Sequence, residues 1–321
     1  MLRLKKIFKF SLIFKNIGVL FLRAEEKKGI LYVTFAYLIW AILPIYWHAL
    51  KKVPSEQILA HRVVWAFVFM FLLLRFTGNI TLFFKQTKEL WLKPKQFFLL
   101  VTAAFLVSGN WGIYIWAVNH EQLVEASLGY YINPLVSVLL GVIFLKEKLT
   151  KPQIISFILA LIGVMIMTIN FGKLPYIAFA LAFSFGFYGL VKKMIVIDPA
   201  VSLALETFVV TPFVIVYLLF FSTNVGFGVD LFETVMLVLS GAVTAIPLFY
   251  FGKGAIRIPL STVGFLQFIA PTGMLLLGVF TYHAKFELIK LFAFSFIWLS
   301  LVTFTVSKTK WFEHRVRVKE E

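Results

Sequence analysis

Residues 132–142 read INPLVSVLLGV and residues 269–279 read IAPTGMLLLGV. The two stretches lie over each other, with Pro134 and Pro271 each seven residues before a Gly-Val pair. A proline inside a helix lacks the N–H that would close one backbone hydrogen bond, so it frees the carbonyl four residues earlier. Those carbonyls belong to Tyr130 and Gln267. Paired interruptions in two halves of an apolar chain mark the midplane site of a carrier built from repeats.

The match extends outward. EASLG (125–129) resembles LSTVG (260–264) after a two-residue shift, and VPSEQILAHR (53–62) lies over DPAVSLALET (198–207). The three pairs keep one order at a spacing of 135 to 145 residues. The chain is 61% apolar and only 14% charged, and its apolar residues come in runs of about 20, the length that crosses a hydrocarbon core. Ten such runs fall near 29–50, 55–76, 96–118, 122–145, 152–170, 174–192, 199–221, 231–251, 258–281 and 286–306. The repeat spacing covers five of them, and an odd number of crossings turns the second copy upside down.

The fold expected is therefore an all-α integral membrane protein of ten transmembrane helices in two inverted five-helix repeats. The first repeat covers 29–171 and the second 172–307, with a basic extension at 1–28 and a basic tail at 308–321. Connections as short as 51–54 make neighbouring helices antiparallel. With the N-terminus inside, 25 of the 31 Lys and Arg fall on the inner side and 5 on the outer, leaving Arg62 over. Positive charge collects on the cytoplasmic side, so both termini are expected in the cytoplasm. A net charge of +16 distributed in this way is a topology signal, and nucleic acid is not an expected partner. The extension is too interrupted by Lys9 and Lys15 for a signal peptide. It reads either as a basic segment lying on the membrane or as a start assigned too early.

Candidate site residues cluster around the prolines. Tyr130, Tyr131, Asn133 and Gln267 flank the breaks, Tyr37, Trp40 and Pro44 share one face of the first helix, with Pro44 expected to break that helix as Pro134 and Pro271 break theirs, and the third supplies Asn110, Trp111, Tyr114 and Trp116. Aromatic walls with a few amides suit an amphipathic organic solute or, through ring faces, an organic cation. His61 and Arg62 stand inside an apolar run, and the repeat alignment sets His61 over Glu206. Inversion would put His61 and Arg62 in the outer half of the membrane and Glu206 in the inner half. Ionisable groups at such depth are expected to serve the pathway, its gates or ion coupling. Arg62 could instead bond free carbonyls of a neighbouring helix or bind an anionic group of the solute.

Other chemistry is unsupported. The chain has no cysteine, and no phosphate loop, HExxH or paired acidic motif. His48, His61, His120, His283 and His314 lie far apart in sequence, so neither a metal site nor a cofactor is expected. Glu147 and Lys148 read as solvated loop charges. No catalytic cluster is visible, so the chain is read as a non-enzyme. A channel, a non-transporting scaffold or a membrane-embedded enzyme are the alternatives to a carrier.

The stretches AYLIWAILPIYW (36–47), ILAHRVVW (58–65), NWGIYIWAVN (110–119), EASLGYYINPLVSVLLGVIFLKEKL (125–149), SFGFYGLVKK (184–193) and STVGFLQFIAPT (261–272) resemble the bacterial RarD proteins, within the EamA group of the drug/metabolite transporter superfamily. The resemblance covers roughly 29–306. It implies two EamA repeats, an inner-membrane location, and a permease of small organic solutes, metabolites or drugs working by alternating access. Membrane lipid surrounds such a protein, while coupling to a proton or another ion and pairing into a homodimer stay open. The chain departs from the family pattern at Ile256-Arg257, where relatives carry Arg-Arg, and in the turn 282–286.

Overall fold

A computed structural model of the chain describes residues 2–222, 227–281 and 288–307, with side chains described everywhere in these ranges except at 2–23, 118 and 119. The turn 282–286, the tail 308–321, His283 and His314 lie outside the described residues. All regular structure described is helical. The order is α1 (Leu2–Ala49), α2 (Ser55–Phe76), α3 (Ile80–Trp91), α4 (Pro94–Asn119), α5 (Leu123–Phe144) and α6 (Lys151–Phe171), then α7 (Tyr176–Met194), α8 (Pro199–Phe220), α9 (Leu231–Ala255), α10 (Leu260–Gln267), α11 (Ile269–Phe280) and α12 (Leu288–Ser307).

Among the described residues ten spans are long and apolar enough to cross a membrane, with α10 and α11 together forming the ninth and the first beginning at Ala24. Their outward faces are apolar. On α1, Leu31, Phe35, Leu38, Ile42 and Ile45 recur at helical spacing and are all exposed; on α6, Ile154, Ile158, Leu161, Met165 and Ile169 do the same. Exposed apolar stripes of this length are costly in water and favourable against lipid tails.

Two elements depart from the expected plan. The basic segment 75–95, read as a loop, contains α3. Its apolar residues Ile80, Phe83, Leu90 and Trp91 fall on one face, with Phe83 and Leu90 buried and Phe83 edge-on to Phe71 of α2. Twelve residues cannot span a bilayer. The expected helix breaks also need correction: α1 runs unbroken through Pro44 and α5 through Pro134. Among the described spans only the ninth is divided, at Phe268, whose N–H turns back to the Phe265 carbonyl at 3.4 Å, three residues before Pro271. Each proline deletes one bond, but neighbouring helices can hold the flanking turns in line.

The spans pack in matched sets. α5 packs on α7 as α1 packs on α10 and α11, α4 packs on α7 as α1 packs on α9, and α2 packs on α9 as α4 packs on α8. The pairs α2 with α8, α5 with α10 and α6 with α12 exchange with themselves when spans one to five are swapped for six to ten. Close crossings depend on glycine. A Cβ on Gly241 of α9 would overlap the backbone of Trp65 on α2, and one on Gly264 of α10 would stand 2.7 Å from the carbonyl of Pro134. Such small-residue contacts bring membrane helices close enough for dispersion to hold them.

Candidate functional site

Helical spacing sets which side chains converge. On α1, Tyr37, Trp40, Pro44 and Trp47 lie at i, i+3, i+7 and i+10, one face that borders a cavity of about 500 Å³. α4 contributes Asn110, Trp111 and Tyr114, α5 contributes Tyr130 and Asn133, and the divided ninth span contributes Gln267 and Pro271. Arg62 enters from α2 and Phe185 from α7. The cavity reaches the membrane face where α1 ends at Trp47 and His48 and α5 begins at Leu123. Among the described residues its wall contains no carboxylate.

The polar groups are held in place. The hydroxyl of Ser137, one turn below Asn133, donates to Gln267 Oε1 at 3.1 Å and reaches Asn133 Oδ1 at 3.5 Å, so it ties the two midplane amides together. Asn110 spends both amide hydrogens on α7, on the Leu181 carbonyl and the Ser184 hydroxyl, each at 2.9 Å. Tyr37 is buried at the cavity floor beside Gln267, and its hydroxyl finds no hydrogen bond of ordinary geometry among the described residues.

Arg62 and His61 part ways. The Arg62 guanidinium lies between the rings of Trp47 and Trp111, 4.5 and 4.8 Å from their centroids, and its Nε donates to Thr244 Oγ1 at 3.0 Å. His61, one residue earlier and about 100° around the helix, is buried away from the cavity and stacks on Phe227 with centroids 4.6 Å apart. Trp116 and Tyr131 are also not brought into the cavity. Trp116 lies about 200° around α4 from Tyr114; it is half exposed and stacks on His120 at 4.3 Å. Tyr131 packs edge-on against Phe294 of α12 at 5.2 Å.

Glu206 sits below the floor. It is 1% exposed and accepts from Lys192 at 2.6 Å, Ser202 at 2.5 Å and Tyr188 at 3.2 Å. Lys192, counted from sequence among the inner surface charges, is 3% exposed. Tyr188 stacks on Phe251 at 5.9 Å, and Phe251 meets Phe185, Trp40 and Tyr37. A continuous aromatic layer thus runs from the cavity floor to the buried ion pair.

The ends of α5 are fastened by carboxylates. At one end Glu125 accepts from the Ile177 N–H at 2.7 Å, near the start of α7; beyond the other, Glu147 accepts from the Leu260 and Ser261 N–H groups at 2.6 and 2.8 Å, at the start of α10. Glu147 is therefore a helix cap and not a solvated loop charge. Free N–H groups and the dipole at a helix N-terminus favour a carboxylate. At the departure from the family pattern, Arg257 pairs with Glu25 at 2.9 Å. Among the described residues no group of three His, Asp or Glu could hold a metal.

Ten apolar spans around an aromatic cavity with a few fixed polar groups define a multi-pass membrane protein with room for a small solute. Residues 27–169 match the model of the EamA-like transporter family. The chain is 47% identical over 289 residues, 90% of its own length and 97% of the other's, to the uncharacterized transporter YojE of Bacillus subtilis (strain 168). It is 41% identical over 285 residues, covering 88% and 95%, to protein RarD of Escherichia coli (strain K12). One solved crystal structure superposes with a TM-score of 0.70 over 87% of this chain and 97% of its own, at 19% identity, a likeness of fold alone. The chain belongs to the EamA-like transporter family, in its RarD branch, and is a membrane transporter of small solutes.

The sequence pointed to most of the cavity but missed Trp47, Phe185, Ser137 and Thr244. Trp47 extends the Tyr37, Trp40, Pro44 face and Ser137 lies one turn beyond Asn133, so both were within reach of periodicity. Thr244 and Phe185 carry no local signal.

Proposed function

We propose that this protein is a secondary active carrier of a small organic solute in the cytoplasmic membrane, working by alternating access between two inverted five-helix halves, with both termini in the cytoplasm. The observation that carries the reading is a cavity open on one face and sealed on the other. The seal is the aromatic layer of Tyr37, Phe185, Phe251 and Tyr188, backed by the Lys192–Glu206 pair. The excess of Lys and Arg on the sealed side makes that face cytoplasmic under the positive-inside rule, so the state described is outward-open.

The matched helix pairings support the inverted-repeat reading, since two halves related by a pseudo-twofold axis can exchange conformations and open the site to the other side. In this account Asn133 and Gln267 contact the solute, with Tyr37, Trp40, Trp111, Tyr114 and Tyr130 as its walls. Glu206 and Lys192 serve the cytoplasmic gate, with the pair broken and re-formed in each cycle, and His61 serves the outer rim through Phe227. The Glu147 cap, which joins the two halves on the sealed side, would open with that gate.

The test has two stages. A thermal-shift screen of purified protein against a metabolite library identifies a solute that stabilises the folded state. Counterflow of that solute, radiolabelled, is then expected in proteoliposomes: uphill entry of label driven by unlabelled solute inside. Flux without counterflow would indicate a channel and overturn the carrier reading.

A further inference from the structure

Resting on that reading of the cavity, we propose that the solute is an organic anion, a carboxylate with an aryl or branched alkyl body, and that Arg62 is the residue that selects its charge. Arg62 is the one fixed cation among the described cavity residues, and no described carboxylate lies within ion-pair distance of it. A cation kept inside a membrane protein without a counter-ion marks a functional position. The two indole faces and Thr244 hold the guanidinium in place, so it is not a side chain reaching for the lipid headgroups.

The hydrogen-bonding pattern of Arg62 is specific. Its Nε is committed to Thr244, and among the described residues the terminal nitrogens form no hydrogen bond. Two parallel N–H groups at the open end of a guanidinium match the two oxygens of a carboxylate. The same geometry argues against an organic cation. The ring faces of Trp47 and Trp111 that would attract one already carry the protein's own cation, and a second positive charge beside it would be repelled.

The body of the solute has its own place. Below Arg62 the walls are Trp40, Tyr130 and Phe185, and the Tyr37 hydroxyl stands at the floor beside Gln267, where it can give or take a hydrogen bond. A volume of about 500 Å³ lies in the range of small-molecule sites.

The experiment uses three one-ring probes that differ in charge: phenylacetate, its neutral amide phenylacetamide, and the cation 2-phenylethylamine, with a wider panel of aryl and branched alkyl monocarboxylates beside them. Calorimetry and thermal shift are run on the purified full chain in detergent, for wild type, Arg62→Gln, Arg62→Lys and Asn133→Leu, with gel filtration and unliganded melting as the check on folding. At least one monocarboxylate is expected to bind wild type at least about 10-fold more tightly than its amide or amine. Arg62→Gln is expected to weaken that carboxylate about 10- to 100-fold, and Arg62→Lys, which keeps charge but loses the fork, by about 10-fold. Tighter binding of the amine, unaltered carboxylate binding in folded Arg62→Gln, or no response to any monocarboxylate at millimolar concentration would each overturn the proposal. If the amide or amine binds instead and Asn133→Leu abolishes it, the cavity stands and only the anionic class falls. Binding untouched by Asn133→Leu would overturn the cavity reading as well.

Discussion

Replacing Glu206 by Gln removes a charge from the interior while nearly preserving shape. Lys192 and Glu206 are 3% and 1% exposed, and their atoms meet at 2.6 Å. The amide oxygen of Gln can still accept from Ser202 or Tyr188, so hydrogen bonding survives in part and the loss is mainly electrostatic. A buried ammonium left without its carboxylate costs about 3 to 5 kcal/mol. Lys192→Met with Glu206→Gln removes both charges, so that penalty disappears and only an imperfectly satisfied amide remains, worth about 1 to 2 kcal/mol. The two changes are thus expected to be non-additive by more than 2 kcal/mol, well beyond the roughly 0.5 kcal/mol seen for independent sites. Reversible unfolding in mixed micelles, run as a double-mutant cycle, measures this. A Glu206→Gln variant within 1 kcal/mol of wild type, or a double variant that costs the sum of the singles, would refute the account of a tightly coupled, desolvated pair.

The other predictions concern the cavity, the crossings and the cap. Asn133→Leu and Gln267→Leu are each expected to abolish transport while the protein still inserts and elutes as a folded species; normal uptake by both, measured in proteoliposomes, would remove the midplane amides from the site. Gly241→Ala forces a methyl group into the Trp65 backbone, so α2 and α9 must separate and stability should fall by about 1 to 3 kcal/mol, read from the thermal midpoint. Glu147→Gln exchanges a charged cap for a neutral one and is expected to cost about 1 kcal/mol. Because the cap lies on the sealed face, the same variant should also speed opening there, which hydrogen exchange at 260–263 would report.

How far the sequence could be read depends on where each residue's partners lie. The ten spans follow from run length, and the cavity face of α1 follows from the spacing of Tyr37, Trp40 and Pro44, because both signals are local. α3 is too short to stand out over the length of a span, where its twelve residues merge with the charges around them, although Ile80, Phe83, Leu90 and Trp91 show the helical period. Residue type alone points to Trp116 and Tyr131, and helix angle sends both away from Tyr114 and Tyr130. Lys192 could not be placed from sequence: a lysine two residues before the end of α7 looks like any flanking cation until Glu206 of α8 is brought against it. Glu147 was misread for the same reason, since its acceptor role depends on a helix start more than a hundred residues away.

The most direct test of alternating access is made convenient by composition, since the chain has no cysteine. Ala270→Cys places a single thiol on the cavity wall at mid-depth. Its reaction with a membrane-impermeant maleimide is measured in right-side-out and inside-out vesicles, with and without the transported solute. The account predicts labelling from both faces, faster from the face opposite the termini, and slowed by solute on either side. Labelling from one face alone, with solute present or absent, would contradict it.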